Sequence, residues 1–191
     1  MPPRIVKADL SNLISAVQAV LVAPHQLSTN GDVTTRGEKY AAFEIALWTL
    51  LRPYLIPPPK LVQRWPCIRV KEGKSTGSRF ETSIIHTDAW SGNMSSVAMI
   101  PIEGDFETGG VEFYIATQNL PELLREHGDY QHAPDFGALK VGQMEPGYIY
   151  FLDPSCLHKT MLGGRRVSVD VRLAYQDLEF SRRRNYIEYR P

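Results

Sequence analysis

The stretch "RRVSVDVRLAY", residues 165–175, decides the fold because apolar and polar residues alternate strictly along it. Side chains of a β-strand point alternately to opposite faces, so this period of two predicts a strand. Its valines share one side, and the other side carries Arg166, Ser168, Asp170 and Arg172. Two interpretations of the polar side are open at this point. It either faces water, or it lines a ligand cavity inside a barrel.

Other short segments have the same strand character, because they are rich in β-branched and aromatic residues and end at Gly, Pro, Asn or Asp. They cover residues 61–70, 79–85, 96–102, 110–116 and 148–152. A helix is predicted between them at 119–128, and the Gly-containing stretch 139–147 is predicted to be a loop.

The first third of the chain has a different pattern. Residues 9–22 and 37–51 place apolar side chains at helical spacing, and Pro24 and Pro53 follow these two segments. A helical start followed by many short strands predicts a mainly β sandwich or barrel backed by helices.

Composition excludes several classes of partner. The 191 residues include 21 Lys and Arg and 21 Asp and Glu, so nothing favours nucleic acid or an anionic membrane. The basic segment 181–191 is interpreted as a solvated end. Cys67 and Cys156 form no CxxC pair, which is typical of reduced thiols in a cytoplasmic protein. We expect no secretory signal, because no long apolar segment follows the first charges, and no membrane span, because no apolar run reaches about 18 residues.

The stretch "TSIIHTDAWSGN", residues 82–93, places two metal-binding side chains at the end of an apolar strand. His86 and Asp88 are two positions apart, so on a strand they share one face. His158, which follows a later strand, offers a third ligand. Two histidines and one carboxylate with open positions opposite them form the facial triad of non-heme Fe(II) oxygenases. The open positions admit a co-substrate and O₂ together.

Residues 61 to 175 resemble the Fe(II)/2-oxoglutarate-dependent dioxygenases, and in particular a bacterial subgroup that often acts in biosynthetic pathways for antibiotics or sugars. The matching segments are "HTDAW" (86–90), "MIPI" (99–102), "GGVEF" (109–113), "LH" (157–158) and "RRVSVDVR" (165–172). The resemblance implies a single domain, 1–191, built on a double-stranded β-helix, which is a jelly-roll or cupin-like barrel. Its core would span 59–178, with a helical support at 1–58 packed on the outer sheet and a tail at 179–191.

The resemblance also implies a role for individual residues. His86, Asp88 and His158 would bind Fe(II), and an arginine would bind the distal carboxylate of 2-oxoglutarate, since a guanidinium donates two parallel hydrogen bonds to a carboxylate. Arg166, with Ser168 two positions on, matches the family's RxS pattern. Arg172 is the alternative anchor, because the gap between His158 and Arg166 is short for the family.

Five further residues are candidates for contacts with the ligands. Tyr114 and Arg69 could hydrogen-bond the co-substrate or the substrate. Trp90 and Asn93 follow the metal ligands on a loop at the barrel mouth, where Trp90 is either a rim aromatic or a lid that keeps water out. Glu112 is a candidate substrate contact, and the charges of Glu112 and Arg69 favour a small polar metabolite over a long lipid.

The implied reaction oxidises an unactivated carbon of that metabolite, consumes 2-oxoglutarate and O₂, and forms succinate and CO₂. Hydroxylation is the expected outcome, and desaturation, epoxidation or ring closure would use the same residues. A cupin-like isomerase or a ligand-binding barrel without redox chemistry is the alternative function. Mn or Zn in the same site is also open, as is a carrier-bound or peptide substrate.

Overall fold

The structure is a computed structural model that describes residues 1–72, 85–87, 95–115, 138–176 and 185–190. Its helices are α1 (Ser11–Val22), α2 (Glu38–Leu51) and the short α3 (Phe106–Gly109). Its strands are β1 (Arg4–Lys7), β2 (Leu61–Gln63), β3 (Cys67–Lys71), β4 (Ser96–Gly104), β5 (Val111–Ile115), β6 (Leu139–Gln143), β7 (Tyr148–Leu152), β8 (Leu157–Thr160), β9 (Arg166–Ala174) and β10 (Tyr186–Glu188). The predicted helix at 119–128 and nearly all of the predicted strand at 79–85 lie outside the described residues.

The strands form two antiparallel sheets. The large sheet has the order β1-β7-β4-β9-β2-β10, with β3 beside β2 along the same edge of β9. The small sheet has the order β6-β5-β8. The prediction of a mainly β protein with supporting helices is therefore confirmed. The described residues do not form a closed barrel.

The first two helices pack on one face of the large sheet. Leu13 and Val17 of α1 and Phe43 and Leu47 of α2 are fully buried in one cluster with Val169 of β9. Each such side chain contributes about 1.5–3 kcal/mol when it leaves water. These helices form a supporting layer, as the sequence predicted. None of the helices in the described part of the chain has the length or apolar character of a membrane-spanning segment.

The other face of the large sheet packs against the small sheet. Phe113 of β5 stacks on Tyr150 of β7 with ring centroids 5.2 Å apart. Because the valines of β9 point to the helices, its polar residues point to the opposite side, which we call the interior side. Arg166 and Asp170 are only 3% and 6% exposed there. The interpretation that the polar side of β9 faces water is therefore wrong.

Two predicted boundaries are wrong. Residues 139–143 form strand β6 instead of a loop, because β5 provides a backbone partner along this segment. Gly142 lies where the β5–β6 register shifts, so the glycine marks an irregularity within a strand and not its end. The predicted strand at 61–70 is divided in two, and Pro66, which has no N–H to donate to a neighbouring strand, precedes β3.

Both ends of the chain contain strands that the sequence did not predict. The segment "RIVK" forms β1 and pairs with β7 at one edge of the large sheet. At the other edge β10 pairs with β2, and the hydroxyl groups of Tyr186 and Ser95 lie 2.8 Å apart. The basic C-terminal segment is therefore partly built into the sheet at residues 186–188, and Ile187 and Glu188 are still exposed to solvent, as the interpretation as a solvated end expects.

Candidate metal centre and carboxylate-binding residues

His86 and His158 come together beside the small sheet. The backbone N–H of each residue donates to the carbonyl oxygen of the other, and both hydrogen bonds are 2.9 Å long. Residues that exchange both hydrogen bonds in an antiparallel pair present their side chains on the same face. The two ring centroids lie 4.4 Å apart, and each histidine is 5% exposed. The structure thus brings together two of the three predicted metal ligands.

The ring of His158 is held in one tautomer by the neighbouring backbone. Its Nδ1 lies 3.0 Å from the carbonyl oxygen of Cys156. Because a carbonyl oxygen can only accept, Nδ1 carries the proton, and the lone pair of Nε2 is available to a metal. Metal-binding histidines are usually oriented by such a hydrogen bond from the other ring nitrogen. This contact could not be predicted from the sequence, because every residue has a main-chain carbonyl group.

Asp88, Trp90 and Asn93 lie outside the described residues. Within the described ranges, no group of three His, Cys, Asp or Glu side chains is placed to hold one metal ion. The carboxylate ligand therefore remains a prediction from the spacing of His86 and Asp88. Two neighbouring imidazoles fit Fe(II), and they also fit Zn or Mn.

Arg166, the first residue of β9, is a buried cation. Its Nε has no hydrogen-bond partner among the described residues. Burial lowers the pKa of Arg166 to about 10, the carboxylate of Asp170 opposes this change, and the charge of Arg69 adds to it. A buried guanidinium nitrogen without an acceptor is costly. A bound carboxylate would provide both the acceptor atoms and the opposite charge.

Arg166 and Arg172, the two alternative anchors that the sequence left open, occupy different places along β9. Arg172 lies six residues beyond Arg166, which corresponds to about 20 Å along a strand. Its backbone N–H donates to Gln63, 3.1 Å away. Arg166 instead directly follows the short connection from β8, the strand that carries His158. Ser168, on the same side as Arg166, is buried and lies at the limit of hydrogen bonding, 3.5 Å, from Asp170.

Arg69 is already paired within the fold. Its guanidinium lies 2.7 Å from a carboxylate oxygen of Asp32 and 2.7 Å from one of Asp170. Although burial opposes the charged form, Asp170 and Asp32 raise the pKa of Arg69. The sequence did not identify Asp32, which reaches Arg69 from a loop that pairs with β3. Arg69 therefore binds two carboxylates of the protein, and the structure gives no support for its predicted contact with the co-substrate.

Tyr114 and Glu112 lie on the other side of the small sheet from the histidine rings. The residue between them, Phe113, pairs in register with His158 and packs in the interior. Successive residues of a strand point to opposite faces, so Tyr114 and Glu112 point away from the interior. The Tyr114 hydroxyl donates to Glu112 at 2.5 Å, and two lysines also contact this carboxylate. The structure does not bring these two predicted site residues to the histidines.

No protein-family model matches the chain, and no curated protein matches its sequence. Among solved structures, the chain is similar to the non-heme alpha-ketoglutarate-dependent epimerase SnoN from nogalamycin biosynthesis. The TM-score is 0.53 at 15% identity, over 89% of this chain and 78% of SnoN. EvdO2 from Micromonospora carbonacea var. aurantiaca gives a TM-score of 0.47 at 12% identity, over 98% of this chain and 88% of EvdO2. The similarity to SnoN shows a shared fold.

Proposed function

We propose that this chain is a non-heme Fe(II)/2-oxoglutarate-dependent dioxygenase whose two sheets belong to a double-stranded β-helix. The observation that carries the proposal is the buried pair of His86 and His158, whose rings share one side of the sheet. Because Nδ1 of His158 donates to the carbonyl oxygen of Cys156, Nε2 is the ring atom of His158 that would bind the metal. The fold that the chain shares with SnoN, an alpha-ketoglutarate-dependent enzyme, supports the same class; alpha-ketoglutarate is 2-oxoglutarate.

In this proposal the metal ligands are His86, His158 and Asp88, and Arg166 binds the distal carboxylate of 2-oxoglutarate with Ser168 beside it. When bound, iron and 2-oxoglutarate would supply, with O₂, the oxidising chemistry that releases succinate and CO₂. The paired backbones of His86 and His158 fix the separation of the two rings before any ligand arrives. Such preorganisation lowers the cost of assembling the site. Burial of both rings keeps bulk water away from them.

We propose a small polar metabolite as the substrate and hydroxylation as the outcome. The charged side chains on the interior side of β3 and β9 support a polar ligand, because an apolar ligand would cover these charges without offering them hydrogen bonds. We also propose a role in a biosynthetic pathway, with the origin of SnoN in nogalamycin biosynthesis as support. Cys67 and Cys156 form no disulfide in the described part of the chain, which supports a cytoplasmic location.

The proposal is tested by the visible charge-transfer band that forms when Fe(II) is chelated by 2-oxoglutarate. Metal-free protein is titrated with Fe(II) and then with 2-oxoglutarate in the absence of O₂. Wild type is expected to form the band, and His86→Ala and Asp88→Ala are expected to lose it. His25→Ala is the matched control, because His25 bonds to the carbonyl oxygen of Ala23, outside the candidate site, and this variant should keep the band.

Arg166→Met should form the same band only at a much higher concentration of 2-oxoglutarate, because the metal ligands are intact and the distal carboxylate has lost its partner. A folded wild-type protein that binds Fe(II) and gives no band with 2-oxoglutarate would refute the dioxygenase assignment. In that case the cupin-like barrel without redox chemistry becomes the better description.

A further inference from the structure

Lys71 and Arg166 are neighbours on the interior side of the large sheet. In the register of β3 and β9, Lys71 lies directly opposite Arg166. Directly opposed residues have their Cβ atoms about 5 Å apart and point to the same face. The residue beside Arg166 on its other neighbour, β4, is Gly104, which has no side chain. Lys71 is therefore the side chain that flanks Arg166 across the strands, and it is half-buried.

The charges around these two cations do not balance. The groups that act on Lys71 are the cations Arg69 and Arg166 and the carboxylates Asp32 and Asp170. Both carboxylates are bound to Arg69 at 2.7 Å. In the described part of the chain, no carboxylate forms an ion pair with Lys71 or Arg166. Among the described residues, three cations thus share two carboxylates, and the two cations that form no ion pair there are adjacent.

This unbalanced positive charge is reflected in the pKa values of both side chains. Burial, together with the charges of Arg69 and Arg166, lowers the pKa of Lys71. Burial also lowers the pKa of Arg166. Each cation is thus less stable in its charged form than it would be in water. An anion bound between them would reverse this effect, because it adds the missing negative charge and accepts hydrogen bonds from both.

We infer that Lys71 and Arg166 together form a two-cation site for a carboxylate, and that this carboxylate is the one of 2-oxoglutarate remote from the metal. The inference rests on the proposed function and adds Lys71 to it as a specificity-determining residue. The two cations have complementary roles. The planar guanidinium of Arg166 fixes the orientation of the carboxylate, whereas the ammonium group of Lys71 adds charge through a flexible side chain. This pair would select a 2-oxo diacid over a 2-oxo monoacid.

The test compares two co-substrates that chelate iron identically. 2-Oxoglutarate carries the distal carboxylate, and 2-oxopentanoate has a methyl group in its place. The dissociation constant of each is measured from the charge-transfer band without O₂, in wild type, Lys71→Met, Lys71→Arg and Lys39→Met. Lys39 is an exposed residue on α2 and serves as the matched control. Melting temperatures of all variants without ligand confirm that they fold.

Lys71→Met is expected to weaken 2-oxoglutarate binding about tenfold, the size of effect typical of a charge-assisted hydrogen bond at a half-buried position. Binding of 2-oxopentanoate should be unchanged in Lys71→Met. Lys71→Arg and Lys39→Met should bind both acids within about twofold of wild type, since each keeps the charges of the site. The inference is overturned if Lys71→Met binds 2-oxoglutarate as wild type does, or if it loses both acids equally.

A second readout needs no metal and separates this inference from the proposed function. Glutarate, which has two carboxylates and no 2-oxo group, is added to metal-free protein, and the melting temperature is measured. Glutarate should raise the melting temperature of wild type and Lys39→Met but not that of Lys71→Met. If wild type forms no charge-transfer band, the dioxygenase proposal fails, and this shift alone decides whether the two-cation site exists. An equal shift in wild type and Lys71→Met, or none in either, rejects the site.

Discussion

Glu112 should stabilise the small sheet in a pH-dependent way. Its carboxylate lies 2.6 Å from the Nζ of Lys140 on β6 and 2.9 Å from the Nζ of Lys159 on β8, and it accepts a hydrogen bond from Tyr114. The Glu112 side chain is only 10% exposed. These contacts join the central strand to both of its neighbours. Because β8 carries His158, they also fix the strand that presents this candidate ligand.

The magnitude follows from the pKa of the carboxyl group. Although burial opposes ionisation, hydrogen bonds from Lys140, Tyr114 and Lys159 lower the pKa of Glu112 from 4.5 to about 2. A lowering of this size corresponds to about 3 kcal/mol of stability. Because the Lys140 side chain is 45% exposed and therefore screened by water, we expect about 2 kcal/mol. The folded pKa lies below the unfolded one, so this stability is complete above about pH 4.5 and is lost as the pH falls towards 2.

The assay is urea unfolding of wild type and Glu112→Gln at pH 7 and pH 3. The substitution should lower the free energy of unfolding by about 2 kcal/mol at pH 7 and by about half as much at pH 3. Glu103→Gln is the matched control, because Glu103 forms an exposed ion pair with Arg165 at 3.3 Å. It should cost less than about 0.5 kcal/mol. The reasoning is refuted if Glu112→Gln costs as much at pH 3 as at pH 7, or no more than the control.

Two further predictions concern stability without ligands. Arg166→Met should raise the free energy of unfolding of metal-free protein by about 1 kcal/mol, because it removes a buried cation whose Nε has no acceptor among the described residues; a loss of stability in urea would show that the cation is satisfied within the fold. Gly31→Ala should cost about 2 kcal/mol or more, because Gly31 has a positive φ of +81° and an added Cβ would collide with the carbonyl oxygen of Val70. Gly142→Ala, whose added Cβ meets nothing within 4 Å, should change the free energy of unfolding by less than about 0.5 kcal/mol, and equal costs for the two alanines would contradict this explanation.

The strand β9 shows how far a sequence pattern determines a fold. The alternation of its residues predicted the strand and the two sides of it, and the structure confirms both. The pattern could not show what covers each side. The answer depends on tertiary packing: α1 and α2 cover the valines, and Asp170 on the polar side is bound by Arg69 of β3. That ion pair joins positions 101 residues apart in sequence, and the local pattern around neither residue indicates its partner.

The candidate site was predictable to a similar extent. The spacing of the HTD segment and the later His158 indicated one site, and the structure pairs His86 with His158. The positions of Tyr114 and Glu112 could not be predicted, because they depend on the register between β5 and β8. A change of one residue in that register would exchange the two faces of a strand. Such a register is fixed by packing over the whole sheet and leaves no mark in a single sequence.

The two sides of β9 have opposite energetic roles, and this explains how Arg166 can persist in the interior without an ion pair to any described carboxylate. Val167, Val169 and Val171 are fully buried against the helices, and each contributes about 1.5–3 kcal/mol. One position away, Arg166 is held without a hydrogen-bond acceptor for its Nε among the described residues. The apolar side thus offsets the cost of a charge that contributes no stability without a ligand. If a carboxylate binds Arg166 as proposed, it would recover that cost, and ligand binding and folding would be coupled through a single strand.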